Sequence, residues 1–172
     1  MIGPKKLLIM NLNGFLIRRV YYLDTRAIPE FRKADDKYGA FFLYKREFSE
    51  EFMKFCLERF EVGIWSSAQK YNIYGALRCA IGESMYKKLL FVWENTAIFT
   101  KSYDPEDSED RELDPNGELC NYLRGVAEAE DVQSYVMDNP FGEAAITSSH
   151  PDWKFYSKVR YYQDGKRIRS FR

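Results

Sequence analysis

The chain is 172 residues long, enough for one domain that buries about 70 % of the surface its unfolded chain would expose. Lys plus Arg (26) balance Asp plus Glu (26), which speaks against a dedicated duplex-DNA binder, since such proteins carry a basic excess. Aromatic residues make up 17 %, too many for extended disorder, and no run approaches the ~18 apolar residues of a membrane-spanning helix. The opening residues Met1–Lys6 read as lacking a secretory leader. Cys56, Cys79 and Cys120 fit neither a metal spacing nor a disulfide framework, so a reducing compartment is expected. A single histidine, His150, leaves little for imidazole-based chemistry.

In chain order, Leu7–Met10 is an apolar run after two lysines and predicts a strand buried on both faces, as in parallel sheets. Arg18–Glu47 is polar and aromatic, is interrupted by Pro29 and Gly39, and predicts a flap or an irregular insertion, with a short strand at Phe41–Tyr44. Ser49 is placed to cap a helix whose first turn carries Glu50 and Glu51. Phe52, Phe55 and Cys56 then recur at helical spacing. Phe60–Trp65 predicts a second strand. Gln69–Ile81 predicts a second helix, with Ile73, Ala76, Leu77, Ala80 and Ile81 on one face. Leu89–Trp93 predicts a third strand. This alternation is the pattern of a parallel sheet with right-handed crossovers. Thr96–Phe99 follows too closely for a parallel crossover and predicts an antiparallel neighbour or a bend.

Residues 100–117 form an acidic stretch, expected to be a solvated loop. Glu118–Val126 and Asp131–Asp138 predict two further helices, the second ended by Pro140. The tail, 158–172, sets Lys158, Arg160, Lys166, Arg167, Arg169 and Arg172 against Asp164 alone. It is expected to be a solvated terminus, with nucleic-acid, anionic-lipid and nuclear-import readings left open. The whole, 1–172, is expected to be a single domain.

The first strand ends in Asn11-Leu12-Asn13-Gly14-Phe15-Leu16, and the second in Ser66-Ser67-Ala68. Ligands of open parallel sheets bind at the carboxyl ends of strands, so both polar pairs stand where a site would be. Turn formation and helix capping account for the same residues without any ligand.

These segments resemble the phosphatase-homology domain of the enzymes that dephosphorylate the C-terminal domain of RNA polymerase II, within the haloacid dehalogenase (HAD) superfamily. The resemblance runs through Lys5–Leu16, through FSEEFMKFCLERFEVGIWSSA (Phe48–Ala68), and through Leu89–Glu94. The later stretch, including Tyr135–Thr147 and Trp153–Val159, is similar to plant-type members. It implies an α/β, Rossmann-like three-layer HAD fold with an incomplete, mainly parallel sheet and C-terminal helices.

In that family an Asp ending strand one attacks phosphorus, and an Asp two residues later is the general acid and base. A Thr or Ser ending strand two binds the phosphoryl group. A later Lys and an acidic pair complete the site around Mg²⁺. Carried over, the nucleophile position is Asn11, which is also the metal position, and the acid/base position is Asn13. Ser66 and Ser67 are the phosphate-binding hydroxyls. Phe15 stands where a Thr is usual. An amide supplies no carboxylate nucleophile, moves no proton near neutral pH, and offers no charge to a hard cation. The stretch after the third strand that carries the family's Lys and acidic pair is missing, because Glu94-Asn95 runs directly into Thr96. Val136–Pro140 imitates a strand ending in an acid, but Val132, Tyr135 and Val136 are helix-spaced.

A pseudophosphatase follows as the expectation: no intact catalytic residue, no cofactor, and a phosphopeptide or protein as partner. No membrane span is expected, the balanced charge disfavours nucleic acid as the partner, and an exposed sheet edge is expected to be open to self-association. A nuclear or cytoplasmic location goes with this reading. Two alternatives stand beside it: an active Mg²⁺-dependent protein Ser/Thr phosphatase, and a module like that of a mitochondrial inner-membrane import receptor.

Overall fold

Three apolar segments separated by two amphipathic ones assemble a parallel sheet in the computed structural model. It describes residues 4–66, 68, 70–94, 102–142, 147–151, 153–156, 162–163 and 166–167. The chain divides into two compact units, Met1–Asp138 and Asn139–Arg172. Strand β1 (Lys6–Met10) leads into a second, antiparallel sheet formed by β2 (Ile17–Tyr21), β3 (Asp36–Tyr38) and β4 (Phe41–Lys45). Helix α1 (Ser49–Arg59) then feeds β5 (Phe60–Trp65), and helix α2 (Lys70–Tyr86) feeds β6 (Phe91–Trp93). The parallel sheet has the order β1-β5-β6, with Met10 beside Ile64 and Trp65 beside Trp93. The α/β class and the strand–helix–strand order are as the periodicity predicts. The third strand is shorter, although Leu90 N–H already donates to Val62 C=O at 2.8 Å.

The helices cover one face of this sheet. Val62 and Ile64 of β5 pack with Phe52, Met53 and Cys56 of α1 and with the predicted α2 stripe of Ile73, Ala76, Leu77, Ala80 and Ile81, all buried. Contrary to expectation, β1 is not buried on both faces. Met10 is 8 % exposed, but Leu7 and Ile9 are 55 % and 41 % exposed. Strand alternation turns them to the face that also carries the exposed Trp65 and Trp93. Among the described residues β1 pairs with β5 alone. The Thr96–Phe99 segment lies outside the described residues.

Of the two readings for Arg18–Glu47, a flap and an irregular insertion, the structure has the flap, and the expected strand at Phe41–Tyr44 is β4. Its sheet has the order β2-β4-β3, built from apolar and aromatic residues suited to strands, and Gly39 (φ 55°) supplies the left-handed turn between β3 and β4. Tyr38 lies directly on Gly75 of α2, where a Cβ would come within 2.1 Å of its ring. That contact seats the flap on the helix.

Ser49 does not cap α1. Phe48 occupies the cap position in the left-handed region (φ 59°) with no side-chain cap. The buried Ser49 Oγ instead donates to Ala80 C=O of α2 at 2.7 Å. Helix α2 runs past the predicted end and is broken by Gly82 (φ 75°, ψ 162°).

The acidic stretch is not simply solvated. Tyr103 N–H donates to Gly14 C=O at 3.2 Å, its hydroxyl donates to Tyr44 C=O, and Leu113 is buried. Asp104, Asp107, Asp110 and Asp114 each accept the N–H two residues on, so the carboxylates set successive turns. Helices α3 (Glu118–Glu128) and α4 (Val132–Asp138) follow as predicted; Asp131 caps α4 through the N–H groups of Gln133 and Ser134. The second unit contains a short helix, α5 (Trp153–Tyr156), and a hairpin of β7 (Tyr162–Gln163) and β8 (Lys166–Arg167) within the basic tail.

Candidate functional site

Because β1 and β5 run parallel and in register to Met10 and Ile64, the loops that follow them leave from the same sheet edge. Asn11 is the first residue past β1 and Ser66 the first past β5. The fold thus brings the predicted positions to one carboxyl edge, where parallel sheets place their ligands. Ser67 lies outside the described residues.

Asn11 bonds within its own loop, and Asn13 bonds the loop to β2. Asn11 Nδ2 donates to Asn13 C=O at 2.8 Å, and Asn11 Oδ1 accepts Leu12 N–H at 2.9 Å. Asn13 Oδ1 accepts Arg19 N–H at 3.0 Å. Gly14, at φ 86°, turns the chain in a conformation open to glycine, and its N–H donates to Ile17 C=O at 2.7 Å. The result is a compact loop that hands β1 to the flap. Ser66 is fully buried. Its N–H donates to Trp93 C=O at 2.9 Å, tying the edge to β6, and its Oγ accepts Ala68 N–H at 3.1 Å. A hydroxyl that accepts still has its own hydrogen to donate.

This donor set does not fit Mg²⁺. The cation demands near-octahedral oxygen and is held through carboxylates, whereas the oxygens offered here are neutral amides. Asn11 Oδ1 and Asn13 Oδ1 are already acceptors for backbone N–H groups. Among the described residues no group of three or more His, Cys, Asp or Glu side chains is placed to hold a metal ion.

Three residues around this edge were not picked out by sequence reasoning. Arg46 donates from Nε (2.6 Å) and Nη2 (2.9 Å) to the two carboxylate oxygens of Asp110 and from Nη1 to Phe15 C=O at 3.3 Å. It thereby joins the acidic stretch to the Asn11–Leu16 loop. Tyr103 reinforces that junction from the other side, through Gly14 and Tyr44. Burial raises the Asp110 carboxyl, but the Arg46 hydrogen bonds, the Glu112 N–H and the Arg46 charge outweigh it and hold it below its ordinary value. Arg19 sits over the Phe41 ring at 4.9 Å, and burial lowers its proton affinity. The Ile17-Arg18-Arg19-Val20 sequence held a signal for it, since a strand there must turn one arginine to each face.

A parallel α/β sheet with its polar loops at the carboxyl edge defines the Rossmann-like class. Residues 6–83, from β1 through the flap into α2, match the model of the NLI interacting factor-like phosphatase family. The match covers a little under half of the chain, so that segment is similar to a phosphatase-like domain of this family. No curated protein matches the chain. Among the described residues no helix is long and apolar enough to cross a membrane.

Proposed function

We propose that the chain is a catalytically inactive phosphatase-homology module that binds a phosphorylated protein partner. One observation carries this reading: the two positions where the family places its catalytic carboxylates hold Asn11 and Asn13, whose amides are spent on loop hydrogen bonds. Without a carboxylate there is no nucleophile for phosphorus, and without an acid at Asn13 the proton transfer worth about 10²–10⁴-fold is lost. Ser66 and the N–H groups at the start of α2 remain as the phosphoryl-receiving part, suited to binding without turnover. The balanced charge of the chain favours a protein over a nucleic acid as partner. Among the described residues β1 pairs with β5 alone, which leaves its other edge for a partner or a second copy to pair with. A nuclear or cytoplasmic compartment goes with this role, and cell fractionation tests it.

The experiment is a Mg²⁺-supplemented hydrolysis assay on a general phosphatase substrate, with wild type beside Asn11→Asp/Asn13→Asp. Wild type is expected to give no turnover. Hydrolysis that disappears in Asn11→Ala would overturn the reading in favour of an active Ser/Thr phosphatase. The double variant is expected to stay silent too, since the Lys and acidic pair of the family have no counterpart between Glu94 and Thr96.

A further inference from the structure

Helices α1 and α2 cover one face of the β1-β5-β6 sheet. Strand alternation sends every second side chain to the opposite face, and the registers set these in rows. Leu7 stands beside Glu61, Ile9 beside Gly63, Gly63 beside Phe91, and Trp65 beside Trp93, from the amino end of the strands to the carboxyl end. On this face Leu7, Ile9, Trp65 and Trp93 are 55, 41, 37 and 52 % exposed. Parallel sheets are covered on both faces, and an exposed apolar patch of more than a few hundred Å² marks a surface that another molecule occupies.

The aromatic corner of the face is already in place. Phe91 lies over Gly63, where a Cβ would come within 2.2 Å of its ring. It stacks on Trp93 with ring centres 4.4 Å apart, and Trp93 meets Trp65 edge-on at 5.6 Å. Rings that brace one another lose little freedom on being covered. The diagonally opposite corner, Leu7 and Ile9, is aliphatic. Large rings at one corner and branched chains at the other make the face complementary to itself. A second copy, related by a two-fold axis along the remaining diagonal, lays its rings on Leu7 and Ile9 and takes the first copy's rings on its own aliphatic corner. The two sheets then cross at a steep angle, one of the two ways in which sheets stack.

Charge and area select the same occupant. Glu61 is the one ionisable side chain that the three strands turn to this face, so a charged partner finds almost nothing to pair with. Each copy exposes on the order of 400 Å² of apolar surface there. Two copies face to face thus remove about 1,000 Å² from water with the rim included, the lower bound of a specific interface and the size of a weak one.

We propose that this face is a homodimer interface, sheet on sheet, in which Trp65, Phe91 and Trp93 of one copy cover Leu7 and Ile9 of the other. The surface is separate from the carboxyl edge that carries Asn11 and Ser66, and its test is independent of the phosphoprotein reading.

The test is sedimentation velocity of the full chain over a concentration series through the micromolar range. Wild type should pass from monomer to dimer with a micromolar Kd, with little dependence on salt, and its tryptophan emission should move to the blue as the indoles leave water. Leu7→Glu and Trp93→Lys should each weaken association about tenfold or more. An equimolar mixture of the two variants should recover a heterodimer, because one junction then sets the introduced acid against the introduced base and the other is wild type. A cooperative thermal transition shows that each variant folds. If Trp93→Lys does not fold, Leu7→Glu beside wild type and the emission shift carry the comparison. A wild type that stays monomeric, or a dimer that both folded variants retain, overturns the proposal. Association lost in Leu7→Glu but kept in folded Trp93→Lys would move the contact to the edge of β1 and overturn it too, as would a mixture that stays monomeric.

Discussion

Arg46 and Asp110, sixty-four positions apart in sequence, form a two-pronged ion pair through Nε and Nη2, with side chains only 11 % and 14 % exposed. The pair binds the acidic stretch to the root of the flap. Replacing Asp110 with Asn should lower unfolding stability by about 2 kcal/mol, the range of a hydrogen bond to a charged group. Folding pulls the Asp110 carboxyl down, so its contribution is present above the unfolded value of about 3.9 and is lost as pH falls through the lower folded value. Denaturant midpoints measured against pH should therefore show a weaker acid decline in Asp110→Asn than in wild type. Parallel curves would refute this.

Asn11→Asp should be destabilising in itself, not only catalytically insufficient. Leu12 N–H still satisfies one oxygen of the introduced carboxyl, but the other is turned against Asn13 C=O, where Nδ2 now donates. Two acceptors face each other, at a cost of about 1–3 kcal/mol near neutral pH. That repulsion raises the folded pKa of the new carboxyl. The deficit should vanish below the ordinary carboxylate range and grow as pH rises through the raised value. A pH-independent difference from wild type would contradict the geometry.

Gly82 breaks α2 at φ 75° and ψ 162°, a region closed to other residues, and a Cβ there would meet nothing within 4 Å. Gly82→Ala should cost about 1–3 kcal/mol from backbone strain alone. Chemical denaturation checks it, and an unchanged midpoint would show that α2 straightens without penalty.

Gly75→Ala would place a Cβ 2.1 Å from the Tyr38 ring. The flap should lift from α2, with a loss of about 1–3 kcal/mol and faster hydrogen exchange in β3 and β4 than in β1 and β5. Exchange that stays uniform would show that Tyr38 simply swings aside.

The helical core was legible because its signal is periodic: the α2 stripe from Ile73 to Ile81 needs no tertiary knowledge. The shared carboxyl edge of Asn11 and Ser66 followed from strand order. What escaped were features set by partners distant in sequence. Ser49 looks like a cap because a serine before Glu50 usually is one, yet Ala80 claims its hydroxyl. The acidic stretch reads as solvated because nothing local reveals that Arg46 waits for Asp110. Leu7 and Ile9 read as core because an apolar run does not say whether both faces of its sheet will be covered.

The Asn13–Gly14 junction has a chemical consequence for the lifetime of the molecule. Asparagine before glycine ordinarily ages to a mixture of aspartate and isoaspartate, through attack of the glycine nitrogen on the side-chain carbonyl carbon. Here that nitrogen is held by Ile17 C=O and the side-chain oxygen by Arg19 N–H, so neither reacting group is at liberty to swing into the succinimide. The folded protein should keep its amide under incubation that converts the unfolded chain, and the loop does not drift toward an acid with time.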